Sequence, residues 1–325
     1  MSSFEHMNEN QSRETSEVVL EARHFCKSYG HVQAVRDVSF SVFRGEIFGL
    51  IGPDGGGKTS LMRSLVSLLR IDRGALYFKG RSVGEHPDFV RRNVGYMPQR
   101  FSLYQDLTVR ENLHFFSELF GVSAAASQER IRELYEFSGL ESFADRRAAA
   151  LSGGMKQKLA LSCMLVHSPE VIVLDEPTLG VDPVSRNEFW QILTLLKEGG
   201  TTILVSTAYM DEAYLCDRVG LMFDGRILAV DRPSVLKERY PDKLYGLRTV
   251  QPNRAHDVLS AGGFCEECNL FGDGVHFTLR EGTSVDGIRE LLENQQVRFE
   301  SINLIESGIE DLFLRLMKDD SHERQ

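Results

Sequence analysis

The chain has 325 residues, 42% hydrophobic and 26% charged, with 37 Lys and Arg against 47 Asp and Glu and a formal net charge of −10. Those proportions describe a globular protein of one large domain and a smaller one, and the acid surplus argues against duplex DNA as a partner. No run reaches the roughly 18 apolar residues of a membrane span, the polar start carries no secretory pattern, and five scattered cysteines, an odd number, argue against a disulfide scaffold.

The charge is unevenly placed. Residues 1–17 hold four acids and one base, with few apolar residues, and are expected to form a disordered tail. Residues 18–240 hold 27 of each sign, and short apolar strands there alternate with longer amphipathic helices, the pattern of an α/β sheet protein. Within this stretch, 46–51 reads as an apolar strand, and residues 59–69 place Leu61, Met62, Leu65, Val66 and Leu69 at helical spacing.

Between them runs Gly52-Pro53-Asp54-Gly55-Gly56-Gly57-Lys58-Thr59-Ser60, a match to G-x-x-x-x-G-K-[ST] in the strand–loop–helix context the motif requires. Glycines let backbone N–H groups turn inward around a phosphate, and the helix start adds positive potential. Lys58 is expected to reach the β- and γ-phosphates of a nucleotide, and the Thr59 hydroxyl to bind Mg²⁺. Further on, four apolar residues (171–174) make a buried strand that ends in Asp175-Glu176. Asp175 would hold Mg²⁺, directly or through water, and Glu176 would polarise the attacking water as general base.

After about Tyr240 the character changes. Residues 244–250 read as a strand, 253–260 as a helix, 263–270 and 275–279 as a hairpin, 285–292 as a helix, 299–305 as a strand and 309–317 as a closing helix. The order βαββαβ predicts a small ferredoxin-like α+β domain over 241–325. It carries sixteen acids and nine bases and no catalytic constellation. Cys265 and Cys268 have the spacing of half a zinc site with no second pair nearby, so two hairpin thiols are the expectation.

Leu151-Ser152-Gly153-Gly154-Met155 lies between the two halves of the phosphate site. Taken with the glycine loop, Gln99 in Tyr-Met-Pro-Gln, Asp175-Glu176 and the Val181-Asp182 turn, it makes residues 18–240 resemble the ATP-binding cassette (ABC) ATPases. Leu-Ser-Gly-Gly-Met-Lys-Gln-Lys, residues 104–116 and the ending Gly308-Ile-Glu-Asp-Leu-Phe-Leu-Arg-Leu look like the ATPases of multidrug and polysaccharide-type exporters. The resemblance implies a P-loop NTPase cassette with a helical subdomain at about 100–165. It implies ATP and Mg²⁺ as cofactors, and two cassettes that sandwich two ATPs head to tail. Ser152 with the amides of Gly153 and Gly154 would face the γ-phosphate held by the partner cassette. Tyr29 matches the aromatic that stacks on adenine, against the alternative of ordinary packing. Gln99 would contact the metal site as part of the catalytic set with Lys58 and Glu176. It would link that site to a helical insertion, 101–139, that docks on a membrane subunit. Phe101, Leu103 and Tyr104 are either that docking face or local core.

One position departs from the family pattern. After the strand at 202–205 the family places a His that touches the γ-phosphate, and here Ala208 stands in that place, with no His between His167 and His256. Losing a hydrogen bond to a charged group costs roughly 1.5–3 kcal/mol, about ten- to a hundredfold in rate if it acts in the transition state. The expectation is a chain whose own ATP site turns over slowly, similar to the first cassette of tandem-cassette efflux ATPases. A second cassette on a different polypeptide is favoured over a homodimer. An integral membrane permease is the further partner, no nucleic acid is expected, and the location is cytoplasmic, peripheral on the inner face of the membrane. The alternatives are an ATP-gated clamp without transport, or the ATPase of an importer.

Overall fold

The computed structural model describes residues 17–100, 103–272 and 274–322. All but the last residue of the expected tail at 1–17, and Phe101, lie outside the described residues. The chain divides into two compact units, the first ending at Arg232 and the second beginning at Pro233.

The first unit runs β1 (Val18–Tyr29), β2 (Val32–Phe43), β3 (Ile47–Ile51), α1 (Lys58–Leu65), β4 (Arg73–Phe78), β5 (Arg81–Ser82), α2 (Pro87–Asn93) and β6 (Val94–Met97). It continues with α3 (Val109–Leu119), α4 (Ala124–Ser138), α5 (Gly153–Leu165), β7 (Val171–Asp175), α6 (Pro183–Glu198), β8 (Thr202–Thr207), β9 (Arg218–Phe223) and β10 (Arg226–Asp231). Two sheets form, an antiparallel one in the order β2-β1-β4-β5 and a six-stranded one in the order β10-β9-β3-β8-β7-β6. In the second, β3, β6, β7, β8 and β9 are parallel, and β10 joins as an antiparallel edge. The strands β3, β7 and β8 are buried at every residue, because a parallel sheet has both faces covered and selects continuous apolar runs.

α1 touches strands of both sheets, and its Leu61, Met62 and Leu65 are fully buried with Phe25, Val35 and Phe78 of the antiparallel sheet and Phe48 and Leu50 of β3. The phosphate loop is thereby fixed at the carboxyl edge of the parallel strands, where α/β sheets present ligands.

α3, α4 and α5 pack on one another as a helical group. A capping box opens α3: the Thr108 hydroxyl accepts from the Glu111 N–H at 3.1 Å and the Glu111 carboxylate accepts from the Thr108 N–H at 2.8 Å. Buried Asn112 ties the preceding loop to α3, accepting from the Tyr104 N–H and donating to the carbonyls of Tyr104, Leu107 and Thr108. Of the expected docking residues, Leu103 is buried and belongs to the local core. Tyr104 stays half exposed with its ring edge-on to Phe115.

The second unit runs α7 (Pro233–Glu238), β11 (Leu244–Arg248), α8 (Pro252–Ala261), β12 (Cys265–Phe271), β13 (Gly274–Leu279), α9 (Val285–Asn294), β14 (Ser301–Ile305) and α10 (Ile309–His322). Its sheet has the order β12-β13-β11-β14, with every neighbouring pair antiparallel. From β11 to β14 this is the ferredoxin-like arrangement that the order βαββαβ predicts. α8 and α9 supply Ala255, Leu259, Ile288 and Leu292 to a core with Leu247, Val275, Phe277 and Ile302. β11 ends at Arg248, two residues short of the predicted strand, because the Thr249 hydroxyl accepts from the Gln251 N–H and turns the chain into α8. Cys265 and Cys268 on β12 join this core, and burial pushes the Cys265 thiol up to about 12.

Candidate functional site

Glycine is required at the head of α1. Gly57 caps the helix at φ +99°, a conformation side chains rarely adopt. The loop is pinned at its start by Gly52 N–H donating to the Thr207 carbonyl at 3.2 Å and inside by Gly56 N–H donating to the Pro53 carbonyl at 3.2 Å. Asp54 and Gly55 form its exposed crest. Lys58 is buried and folds back over the loop, donating to the carbonyls of Gly52 at 2.7 Å and Pro53 at 3.0 Å.

The strand β7 brings its two carboxylates to this loop. Asp175 is fully buried and accepts from the Thr59 hydroxyl at 3.0 Å, from the Ser206 hydroxyl at 2.9 Å and from the Tyr96 phenol at 3.3 Å. Glu176 pairs with the Lys58 ammonium at 2.9 Å, and its other oxygen accepts from the Gln99 amide at 3.0 Å. The side chains of Lys58 and Glu176 are only 3% and 6% exposed, so water screens this pair little. Glu176 also stands at φ +49°, where a non-glycine residue carries strain of order 1–3 kcal/mol. Its backbone N–H is held there by the Ser206 hydroxyl at 3.0 Å and the Ser206 carbonyl at 3.2 Å.

Thus the structure brings Lys58, Thr59, Asp175, Glu176 and Gln99 together. The Gln99 amide bonds Glu176, its expected partner in the catalytic set. Tyr29 lies at the end of β1, 46% exposed, with its hydroxyl donating to Ser60 at 3.3 Å and the Lys27 ammonium 5.6 Å from its ring centre. An exposed ring beside the phosphate loop fits a base-stacking platform.

A second surface forms at the head of α5. The Ser152 hydroxyl caps the helix by accepting from the Met155 N–H at 3.3 Å, and Ser152 and Gly153 are exposed. Gly154 is different: it is buried, and a Cβ there would sit 2.5 Å from the Cβ and hydroxyl of Ser185 on α6. Its lack of a side chain therefore serves helix packing.

Tyr96, Ser206 and Arg63 were missed by sequence reasoning. Ser206 pairs with Asp175 in the parallel register of β7 and β8, and a polar residue ending an apolar strand was the available signal. Burial, more than its bonds, pushes the Tyr96 phenol above its ordinary value, so it remains the donor to Asp175, while Arg63 Nε donates to the phenol oxygen at 3.4 Å. Ala208 follows β8 directly, next to the Thr207 carbonyl that anchors Gly52. Its neighbour Tyr209 has its ring under the Arg186 guanidinium at 4.7 Å.

A buried carboxylate within 3.0 Å of a hydroxyl is a hard-oxygen set of the kind Mg²⁺ takes together with phosphate oxygens and water, so Thr59 and Asp175 fit that ion. Among the described residues no helix is long and apolar enough to cross a membrane.

Residues 35–179 match the ABC transporter family. A probable multidrug ABC transporter ATP-binding protein of Escherichia coli, YbhF, is 43% identical over 221 residues, which is 68% of this chain and 38% of that protein. The chain thus aligns with well under half the length of that relative. The Nod factor export ATP-binding protein I of Burkholderia orbicola is 43% identical over 220 residues, 67% of this chain and 72% of that protein. Among solved structures, an ATP-binding subunit of an ABC transporter superposes with a TM-score of 0.62 at 30% identity, over 68% of this chain and 93% of the other.

Proposed function

The chain belongs to the ATP-binding cassette ATPases of the ABC transporter family, and from that premise we propose that it is the ATP-hydrolysing subunit of an exporter, working through a separate membrane permease. The observation that carries the reading is the convergence of loop and strand: Thr59 on Asp175 at 3.0 Å and Lys58 on Glu176 at 2.9 Å. The names of the multidrug and Nod factor relatives support export over import.

In this reading the loop amides and Lys58 hold the β- and γ-phosphates, and Tyr29 stacks on adenine. Thr59 and Asp175 would hold Mg²⁺, which when bound would supply positive charge to the phosphate oxygens. Glu176 accepts a proton from the attacking water as the water oxygen bonds to the γ-phosphorus and the bond to the ADP oxygen breaks. Gln99, bonded to Glu176, orients that carboxylate.

Ala208 offers no donor to the γ-phosphate, and the chain's own site turns over slowly. The exposed Ser152 and Gly153 complete the site of a second cassette. A heteromeric pair uses both features, and it sits at the inner face of the membrane through its permease.

The test is ATP turnover by the chain alone, by Ala208→His and by the chain with a co-purifying second cassette. Slow turnover that rises about ten- to a hundredfold with the histidine is expected. Brisk turnover that the histidine leaves unchanged overturns the asymmetric site. Co-purification of an integral membrane protein separates an exporter subunit from a clamp.

A further inference from the structure

Both oxygens of the Asp175 carboxylate are engaged, and the two engagements trace back to one helix. Thr59 and Arg63 are four residues apart on α1 and therefore lie on one face. Thr59 donates directly to Oδ1 at 3.0 Å, where Ser206 adds a second bond at 2.9 Å. Arg63 reaches Oδ2 through an intermediary: its Nε donates to the Tyr96 phenol at 3.4 Å, and the phenol donates to Oδ2 at 3.3 Å.

The strand geometry explains why the intermediary is a tyrosine. Tyr96 on β6 is paired with Val173 on β7, and Asp175 lies two residues further along the same face of the strand. At about 3.3 Å per residue that is roughly 6.6 Å, close to the reach of a phenol. A phenylalanine would fill the same space without an oxygen. A carboxylate held at one oxygen can still turn about its Cβ–Cγ bond, and a second bond at the other oxygen restricts that turn.

We infer that Tyr96, braced by Arg63, is a positioning residue that holds the Asp175 carboxylate in the orientation in which it and Thr59 bind Mg²⁺. This rests on the reading of the site as a magnesium–ATP site. Groups that orient a metal ligand from behind change metal affinity about 10- to 100-fold when removed, whereas a tyrosine that only satisfies its own hydroxyl would leave metal affinity alone.

The experiment uses the full chain, with Mn²⁺ as the spectroscopic probe. Free Mn²⁺ is titrated by electron paramagnetic resonance in the presence of ATP, and ATP binding in EDTA is measured separately by calorimetry. Tyr96→Phe is expected to weaken Mn²⁺ at least about tenfold while ATP affinity in EDTA stays as in the unmodified protein. Arg63→Met, at an exposed position, is expected to produce a smaller loss of the same kind. Unchanged Mn²⁺ affinity in both variants overturns the inference, as does a parallel fall of metal and metal-free nucleotide affinities. Failure of the unmodified protein to bind ATP at all would instead overturn the reading of the site, and this inference with it.

Discussion

Glu176→Gln is expected to tighten ATP binding measured without metal. In the structure the Glu176 carboxylate lies 2.9 Å from the Lys58 ammonium, and both side chains are almost fully buried. On the function proposed above, Lys58 is the cation that meets a nucleotide's phosphates, so an incoming phosphate competes with a carboxylate already in contact with it. A hydrogen bond between charged groups contributes about 1.5–3 kcal/mol net. The glutamine amide oxygen can still accept from Lys58, so about half of that is removed, corresponding to roughly three- to tenfold in affinity. Glutamine meets the same backbone strain at φ +49°, which keeps that strain from confounding the comparison. The assay is calorimetric titration with ATP in EDTA at fixed pH, where hydrolysis plays no part. The ligand-free variant should also melt earlier, since Lys58 loses its buried counter-charge, and ATP should recover more of its stability than in the parent. Equal or weaker affinity in the variant would refute the idea that Glu176 competes with phosphate for Lys58.

Two further outcomes follow from packing and burial. Gly154→Ala places a Cβ 2.5 Å from Ser185, an overpacking cost of about 1–3 kcal/mol against up to about 1 kcal/mol of regained helix propensity; thermal melts should show net destabilisation, partly relieved in a double variant with Ser185→Gly. Burial lowers His167 from 6.5 to about 4. The unfolded chain therefore binds the extra proton first, and stability should fall as pH drops from about 6.5 toward 4. His167→Phe keeps the stack on Phe120, now 4.0 Å between ring centres, and should flatten that decline by on the order of 1 kcal/mol at pH 5 in denaturant titrations.

The phosphate loop and the Asp175-Glu176 strand end were legible because each is a local pattern with one geometric outcome. Glycines ahead of Lys58-Thr59 force the turn, and four apolar residues ahead of Asp175 force a buried parallel strand. The ferredoxin-like order was legible for the same reason, since hydrophobic period fixes element type and element order then limits the topology. What stayed hidden depends on register between strands distant in sequence. Tyr96 and Ser206 are unremarkable residues along the chain, and their bonds to Asp175 exist only because β6 and β8 flank β7 in parallel. The bond from the Gln99 amide to Glu176 likewise joins a residue of the segment after β6 to one at the end of β7. The crossing of α5 and α6 at Ser185, which leaves no room for a side chain at Gly154, could not be read from the glycine pair alone. Leu103 sits in a loop, where periodicity carries no information about burial.

The setting of Ala208 bears on what a histidine there would do. On one side, Thr207 accepts from Gly52 and ties the position to the phosphate loop. On the other, the following segment is fastened at three points. Tyr209 stacks on Arg186, Asp211 accepts from Arg186 at 3.3 Å, and buried Glu212 accepts from Thr178 at 2.8 Å. Arg186 stands on α6 and Thr178 just after β7, so the backbone at 208 is held between the phosphate loop and the segment that follows the carboxylates. A position anchored on both sides keeps its geometry with or without a side chain. An imidazole introduced at 208 would therefore find its place prepared, and Ala208→His should raise turnover with no compensating change elsewhere. Arg186→Ala in the histidine variant should lose part of that gain, and in the parent the same substitution should change turnover little.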